Sequence, residues 1–300
     1  MQTLTENPQK MSLPPTGKKP RPLAIKIAVG IAGGLFFLTL VFVQRSGLPF
    51  ALAVAIFSIL GASELYRAVQ NQNGEPTEII GYIACVLFQF AAWKNAGKEF
   101  QAYMPAMFII LLIAALLAEL VKKRSKPLVN VGATLLGAVW VGWMLSYLTL
   151  IRSTSLPGIT PPIAGTSTPE WLVVFVVGAT WWSDTGALFA GKFFGRHKMA
   201  PNISPAKTWE GSFGGLVFSA IWGVAFGHWI HLDPGHAIIL SLLCGVFGQL
   251  GDLCESALKR DLGLKDLGVV FPGHGGVLDR VDSLLFAAPL AYYYLIFILK

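Results

Sequence analysis

Apolar stretches long enough to cross a lipid bilayer recur from residue 23 to the end of this 300-residue chain. They leave it few alternatives. A spanning helix needs about 20 apolar residues, because each residue rises about 1.5 Å and lipid tolerates no unpaired backbone groups. Nine segments fit that requirement: 23–43, 48–68, 79–96, 104–121, 129–150, 171–190, 211–229, 236–257 and 277–299. Only 13% of residues are charged and the mean hydropathy is +0.61, whereas a soluble domain carries about 25% charged residues. The alternating ten-residue segments of a membrane β-barrel are absent from the sequence. The expected fold class is therefore all-α, a polytopic membrane domain of about nine transmembrane helices covering 23–300. A polar, Pro-rich and basic tail, 1–22, precedes it and is expected to be disordered at the membrane surface.

Loop charge gives the orientation. Of the 23 Lys and Arg, five (Arg45, Lys94, Lys98, Arg152 and Lys300) fall on one side, which leaves 18 on the other, including "KKRSK" at Lys122 to Lys126. The positive-inside rule then places the N-terminus in the cytoplasm. With that topology Glu64, Glu119, Asp184, Asp252, Glu255, Asp279 and Asp282 all lie in the cytoplasmic halves of their helices. Acids within spans are costly and usually face a polar cavity or a partner. Their grouping suggests a shared cavity open to the cytoplasm, although Glu64 and Glu119 can equally be helix-end acids that reach the interface. Cys85, Cys244 and Cys254 form no metal or disulfide spacing. The basic loops lack interleaved aromatics, which argues against nucleic acid and for lipid headgroups or a phosphorylated substrate.

Two long loops carry the chemistry. The first, "WWSDTGALFAGKFFGRHKMAPNISPAKTWEGSFGG" from Trp181 to Gly215, holds Asp184, a basic turn with Lys192, Arg196 and Lys198, and then Ser204, Lys207 and Glu210. Lys and Arg supply charge and donors for phosphate, and glycines let backbone N–H groups approach it. Positive-inside bias alone also yields such turns. The second loop follows span eight, where Asp252, Glu255, Ser256 and Lys259 lie three, four or seven apart and share a helix face. Asp279 and Asp282 share the first turn of span nine. Carboxylates brought together repel unless a cation or protons intervene, and hard oxygen donors without paired His or Cys suit Mg²⁺. Lys259, Arg260 and Lys265 can neutralise phosphate, and "PGHGG" offers backbone donors beside His274.

The stretch "SALKRDLGLKDLGVVFPGHGGVLDRVD", Ser256 to Asp282, resembles the signature of the phosphatidate cytidylyltransferases: Ser, Lys-Arg, Lys-Asp, Pro or Gly, His-Gly-Gly, Asp-Arg-x-Asp. Upstream, "SDTGALFAGKFFGRHK" and "SPAKTWEG" are similar to a second conserved region of that family, with Leu188 where Tyr is usual. The resemblance implies transfer of CMP from CTP to phosphatidic acid, with Mg²⁺ required and K⁺ as a second cation. It implies Asp252 and Asp279 as metal-binding carboxylates with Asp282 close by, and Lys259, Arg260 and His274 with them in the catalytic set. It implies substrate contacts at Ser256, Lys265, Asp184, Lys192, Ser204, Lys207, Glu210, Gly275, Gly276 and Arg280, all within the C-terminal part, about 171–300. It also implies a homodimer embedded in membrane lipids. Competing readings are another CTP-using membrane enzyme, such as a polyprenol or phytol kinase or a cytidylyltransferase for a different lipid acid, and a transporter or channel lined by the intramembrane acids.

Overall fold

The computed structural model describes residues 23–43, 46–94, 98–156, 159, 161–163, 165–268 and 275–299. The tail 1–22, Arg45, His274 and Lys300 lie outside the described residues. The helices are α1 (Leu23–Phe42), α2 (Leu48–Gln70), α3 (Glu78–Lys94), α4 (Lys98–Lys122), α5 (Pro127–Leu136), α6 (Met144–Arg152), α7 (Thr168–Phe194), α8 (Trp209–Trp229), α9 (Pro234–Asp261) and α10 (Leu278–Phe297). A π-helical segment, Gly137–Trp143, joins α5 to α6, so the nine candidate spans each fall on a helical rod. Five rods among the described residues are long and apolar enough to cross a membrane: Leu48–Gln70, Ala102–Lys122, Pro127–Arg152, Thr168–Phe194 and Pro234–Asp261. The molecule is not purely helical. Strands β1 (Lys198–Ala200) and β2 (Ser204–Thr208) form an antiparallel hairpin in which Lys198 pairs with Thr208 and Ala200 with Ser204. The all-α expectation overlooked it because the turn "APNIS" sits in a polar loop too short to show a strand period.

Local sequence explains where the rods begin. Prolines open α2, α5, α7 and α9 within their first two positions, where a missing N–H costs nothing. Asp233 caps α9 by accepting from Gly235 N (2.9 Å) and His236 N (3.1 Å), and Thr208 caps α8 by accepting from Gly211 N (3.1 Å). At the far end of α9, Gly263 adopts φ +66° and Leu264 N–H returns to Lys259 O at 2.8 Å, which turns the chain out of the helix.

The bundle has two packed parts. In the first, Tyr66 of α2 is fully buried and donates to Thr134 O at 3.0 Å. Gly81 and Gly137 leave the room for its ring. In the second, α7, α8 and α9 approach closely at small residues, with Gly211, Gly214 and Gly215 of α8 against Ala187, Ala190 and Ser183 of α7. Helix α10 joins the two parts. Arg152, expected as a loop charge, is instead buried and pairs with the buried Glu170 at 2.9 Å, while its Nε donates to Val41 O. Burial is tolerated because the pair is hydrogen-bonded. Around the outside, α4 exposes Ile109, Ile110, Ile113, Leu116 and Leu117, an apolar face suited to lipid.

Candidate active site

Helix α9 supplies one wall of the site and the first turn of α10 the other. Gly251 makes their approach possible, since a Cβ there would lie 2.5 Å from Asp282 O. The closeness brings Asp252, Glu255 and Asp282 together, so that one carboxylate oxygen from each lies within 4.8 Å of the others. Glu255 has no exposed surface. Its Oε2 accepts from Lys259 Nζ at 2.7 Å, while its Oε1 is buried with no hydrogen-bond donor among the described residues. Lys259 Nζ also reaches Asp279 Oδ1 at 2.8 Å. Asp279 Oδ2 accepts from Gly276 N at 2.6 Å, so Asp279 is held one ammonium away from the three-acid cluster. Ser256 Oγ donates to Asp252 Oδ1 at 3.3 Å. Asp282 accepts from its neighbour Ser283 N at 2.7 Å, and Ser283 Oγ lies 3.5 Å from Asp184 Oδ2.

The donor set fits a hard divalent cation. Three carboxylates without His or Cys, one of them with a buried oxygen to which no described residue donates, suit a cation or a shared proton at that point. Two lysines supply positive charge beside it. Lys259 lies on the α10 side, and Lys207 forms an ion pair with Asp252 at 2.8 Å, outside hydrogen-bonding angles.

Lys207 arrives on the hairpin, which is tethered at both ends. Arg260 Nε donates to Ile203 O at 3.1 Å and its Nη1 to Leu264 O at 3.3 Å. Glu210 accepts from Arg196 N at 3.1 Å and from His197 N at 3.2 Å, and its Oε1 lies 2.5 Å from His197 Nδ1. The His197 ring bond, and then the backbone N–H groups, hold the Glu210 carboxyl down at about 2, below its ordinary 4.5. Beneath the hairpin is a cavity of about 430 Å³. Ala187, Leu188 and Met199 form its apolar wall, and Asp184, Lys192, Lys207, Gln249 and Asp252 its polar edge.

Most residues singled out in the sequence meet here, although in different capacities. Asp184, Lys192, Lys207 and Asp252 line the cavity, while Asp282 belongs to the acid cluster and Ser256, Lys259 and Asp279 surround it. Arg260 and Glu210 are bonded to the hairpin and the turns beside it. Ser204 sits half-buried in β2, and Lys265 and Arg280 are exposed on the loop after α9 and on α10. Gly275 adopts φ +82°, and a Cβ there would approach Asp279 Oδ2 to 2.7 Å, so glycine is required. Two participants carried no assigned role. Glu255 was signalled by its spacing from Asp252. Glu64 was signalled only as one of the acids within the spans, equally readable as a helix-end charge: from α2 it accepts from Val277 N and Leu278 N, each at 2.9 Å.

The chain is similar to known proteins over nearly its whole length. The pattern of a family described as "Cytidylyltransferase family" matches residues 24–298. A phosphatidate cytidylyltransferase of Bacillus subtilis (strain 168) is 32% identical over 276 residues, covering 90% of this chain and 96% of the relative. One from Synechocystis sp. is 30% identical over 293 residues, covering 92% and 96%. One from Staphylococcus epidermidis is 29% identical over 270 residues, covering 89% and 97%.

Proposed function

The chain belongs to the cytidylyltransferase family, and on that premise we propose that it transfers CMP from CTP to phosphatidic acid, giving CDP-diacylglycerol and pyrophosphate. The observation that carries the proposal is the meeting of an acid cluster, two lysines and a largely apolar cavity at one end of the bundle. A nucleotide triphosphate needs the charges. A lipid phosphate needs an apolar wall for the chain beside it.

Asp252, Glu255 and Asp282 would hold Mg²⁺. Asp279, which the resemblance pairs with Asp252 as a metal carboxylate, stands beside them and would serve a second cation such as K⁺. When bound, such ions neutralise charge between the two anionic phosphates and the pyrophosphate that leaves. The chain does the rest by position. A phosphatidate oxygen is already anionic, so its attack on the α-phosphorus of CTP needs alignment and screening more than a base. Lys207 brings a positive charge to the cavity edge, and Lys259 keeps Glu255 and Asp279 from repelling one another. Ser256 fixes the carboxylate of Asp252. The resemblance adds Lys192, Ser204, Lys265, Arg280, Gly275 and Gly276 as substrate contacts, and His274 as a further donor.

The accompanying topology has nine spans, the N-terminus inside, and the site at the cytoplasmic surface, within about 171–300. CTP arrives there from the cytosol, and the lipid presents its phosphate at the same interface. A homodimer in the membrane completes the proposal. The test is incorporation of labelled CTP into phosphatidic acid micelles by purified protein, with Mg²⁺ or EDTA, beside Asp279→Asn. Labelled CDP-diacylglycerol that disappears with EDTA and in the variant is expected. Free CDP in place of pyrophosphate would overturn the reading and point to a lipid kinase.

A further inference from the structure

We propose that Glu64, on α2 and outside the sequence signature, is the positioning residue for the carboxylates of α10. The inference rests on the reading of Asp279 and Asp282 as working groups, but its structural part stands apart from that reading.

Three consecutive amides open α10, and all three are taken by carboxylates. Gly276 N–H goes to Asp279 Oδ2 at 2.6 Å, Val277 N–H to Glu64 Oε1 and Leu278 N–H to Glu64 Oε2, both at 2.9 Å. No side chain of α10's own entry residue, Val277, caps the helix, so the cap comes from a helix more than two hundred residues earlier. A negative charge at a helix N-terminus is favourable, and two oxygens satisfy two donors that would otherwise be buried and unpaired. Glu64 itself is 2% exposed. Gly268 and Gly276 enclose its carboxylate so tightly that a Cβ on either would overlap its oxygens. One buried side chain thereby fixes both the loop leaving α9 and the first turn of α10.

The consequence for the site is direct. Gly276 touches Glu64 on one side and donates to Asp279 on the other, and Asp279 leads through Lys259 to Glu255. If residues 276–278 shift, the donor that orients Asp279 shifts with them, and Asp282 lies one turn further on. Glutamine cannot replace Glu64 fully, since it offers one acceptor, carries no charge and turns an N–H₂ toward an amide donor. Aspartate is one methylene short.

The experiment combines hydrogen exchange with kinetics on the full chain in detergent, comparing wild type with Glu64→Gln, Gly268→Ala and Glu170→Gln. The last breaks the distant Arg152 pair and serves as a control for stability. For Glu64→Gln, amides of 275–283 are expected to exchange about tenfold faster while α7 and α8 keep wild-type protection. The kcat for CMP transfer should fall about 10–100-fold and the Mg²⁺ concentration for half-activation should rise, with KM for CTP little changed. Gly268→Ala pushes on the same carboxylate and should give the same signature even if Glu64→Gln folds poorly. Glu170→Gln should lower the thermal midpoint and leave kcat per folded molecule unchanged. Wild-type exchange at 275–283 in both Glu64→Gln and Gly268→Ala would overturn the proposal. So would a kcat loss that merely tracks the folded fraction. If the wild type transfers no CMP, the reaction assignment fails, and exchange at 275–283 alone decides whether Glu64 positions the turn.

Discussion

Lys207 Nζ lies 2.8 Å from Asp252 Oδ2, which fastens the β-hairpin to α9 at the edge of the acid cluster. Both side chains retain solvent contact, at 23% and 35% exposure, so the pair adds little to folding, ~0–1 kcal/mol. Its worth lies in delivering a positive charge to the cavity. Lys207→Met is therefore expected to move the thermal midpoint slightly. Its kcat/KM for CTP should fall about 10–100-fold, the equivalent of one lost charge-assisted contact of ~1.5–3 kcal/mol. Steady-state kinetics with labelled CTP checks this, and an unchanged kcat/KM would remove Lys207 from the site.

Lys259 works differently, because its partners are buried. Glu255 has no exposure and the Lys259 side chain is 12% exposed. Lys259→Met would leave Glu255 and Asp279 without their shared cation, and breaking such a pair costs ~3–5 kcal/mol. The protein should unfold at a distinctly lower temperature. Adding Glu255→Gln should recover part of that loss, because one of the stranded charges is gone. The four-membered thermal unfolding cycle measures the coupling, and additive losses would contradict it.

The hairpin carries a pH dependence of known sign. Hydrogen bonds from the His197 ring and nearby backbone lower the Glu210 carboxyl from 4.5 to about 2. A lowered carboxyl contributes above its unfolded value and stops contributing as pH falls through its folded one. Anchoring of 196–208 should be constant from neutral pH to about 4.5 and weaken between there and about 2. Peptic cleavage within the hairpin, normalised to a free peptide, should rise over that window in the wild type. In Glu210→Gln cleavage should already be fast at pH 4.5, and equal rates in the two proteins would refute the anchor.

Short-range spacing made part of this site legible. Asp252 with Ser256 and Glu255 with Lys259 are helix neighbours four apart, and both contacts form. The helical rods followed from hydropathy, since lipid imposes one solution on long apolar runs. What stayed hidden depends on tertiary approach. No pattern within α2 pairs Glu64 with the amides of α10. Arg260 reads in sequence as a phosphate ligand, and its bond to the hairpin carbonyl of Ile203 is visible only in the fold. The π-helical segment 137–143 was also invisible, because it accommodates Tyr66 and Cys85 at Gly137 and Gly142 rather than following any local preference.

The small-residue repeats "GIAGG" (Gly30 to Gly34) and "GSFGG" (Gly211 to Gly215) look alike in sequence but meet different surroundings. Gly214 of the second packs against Ala190 of α7. Across the same contact a Cβ at Gly186 would lie 2.6 Å from Phe218 Cβ and 2.8 Å from Gly214 O. By contrast, a Cβ at Gly30, Gly33 or Gly34 would meet nothing within 4 Å among the described residues. Gly186→Ala must therefore push α8 away from α7, an overpacking cost of ~1–3 kcal/mol, and carry with it Thr208 and the hairpin that begins α8. Gly33→Ala meets no neighbour and gains helix propensity of ~1 kcal/mol. The thermal midpoint in detergent should fall for Gly186→Ala and hold or rise for Gly33→Ala, and only the former should raise the KM for CTP. Should Gly33→Ala instead lower the midpoint together with the oligomer mass, α1 would be a contact between copies. Should Gly186→Ala prove neutral, the close approach of α7 and α8 would not be what holds Lys207 against Asp252.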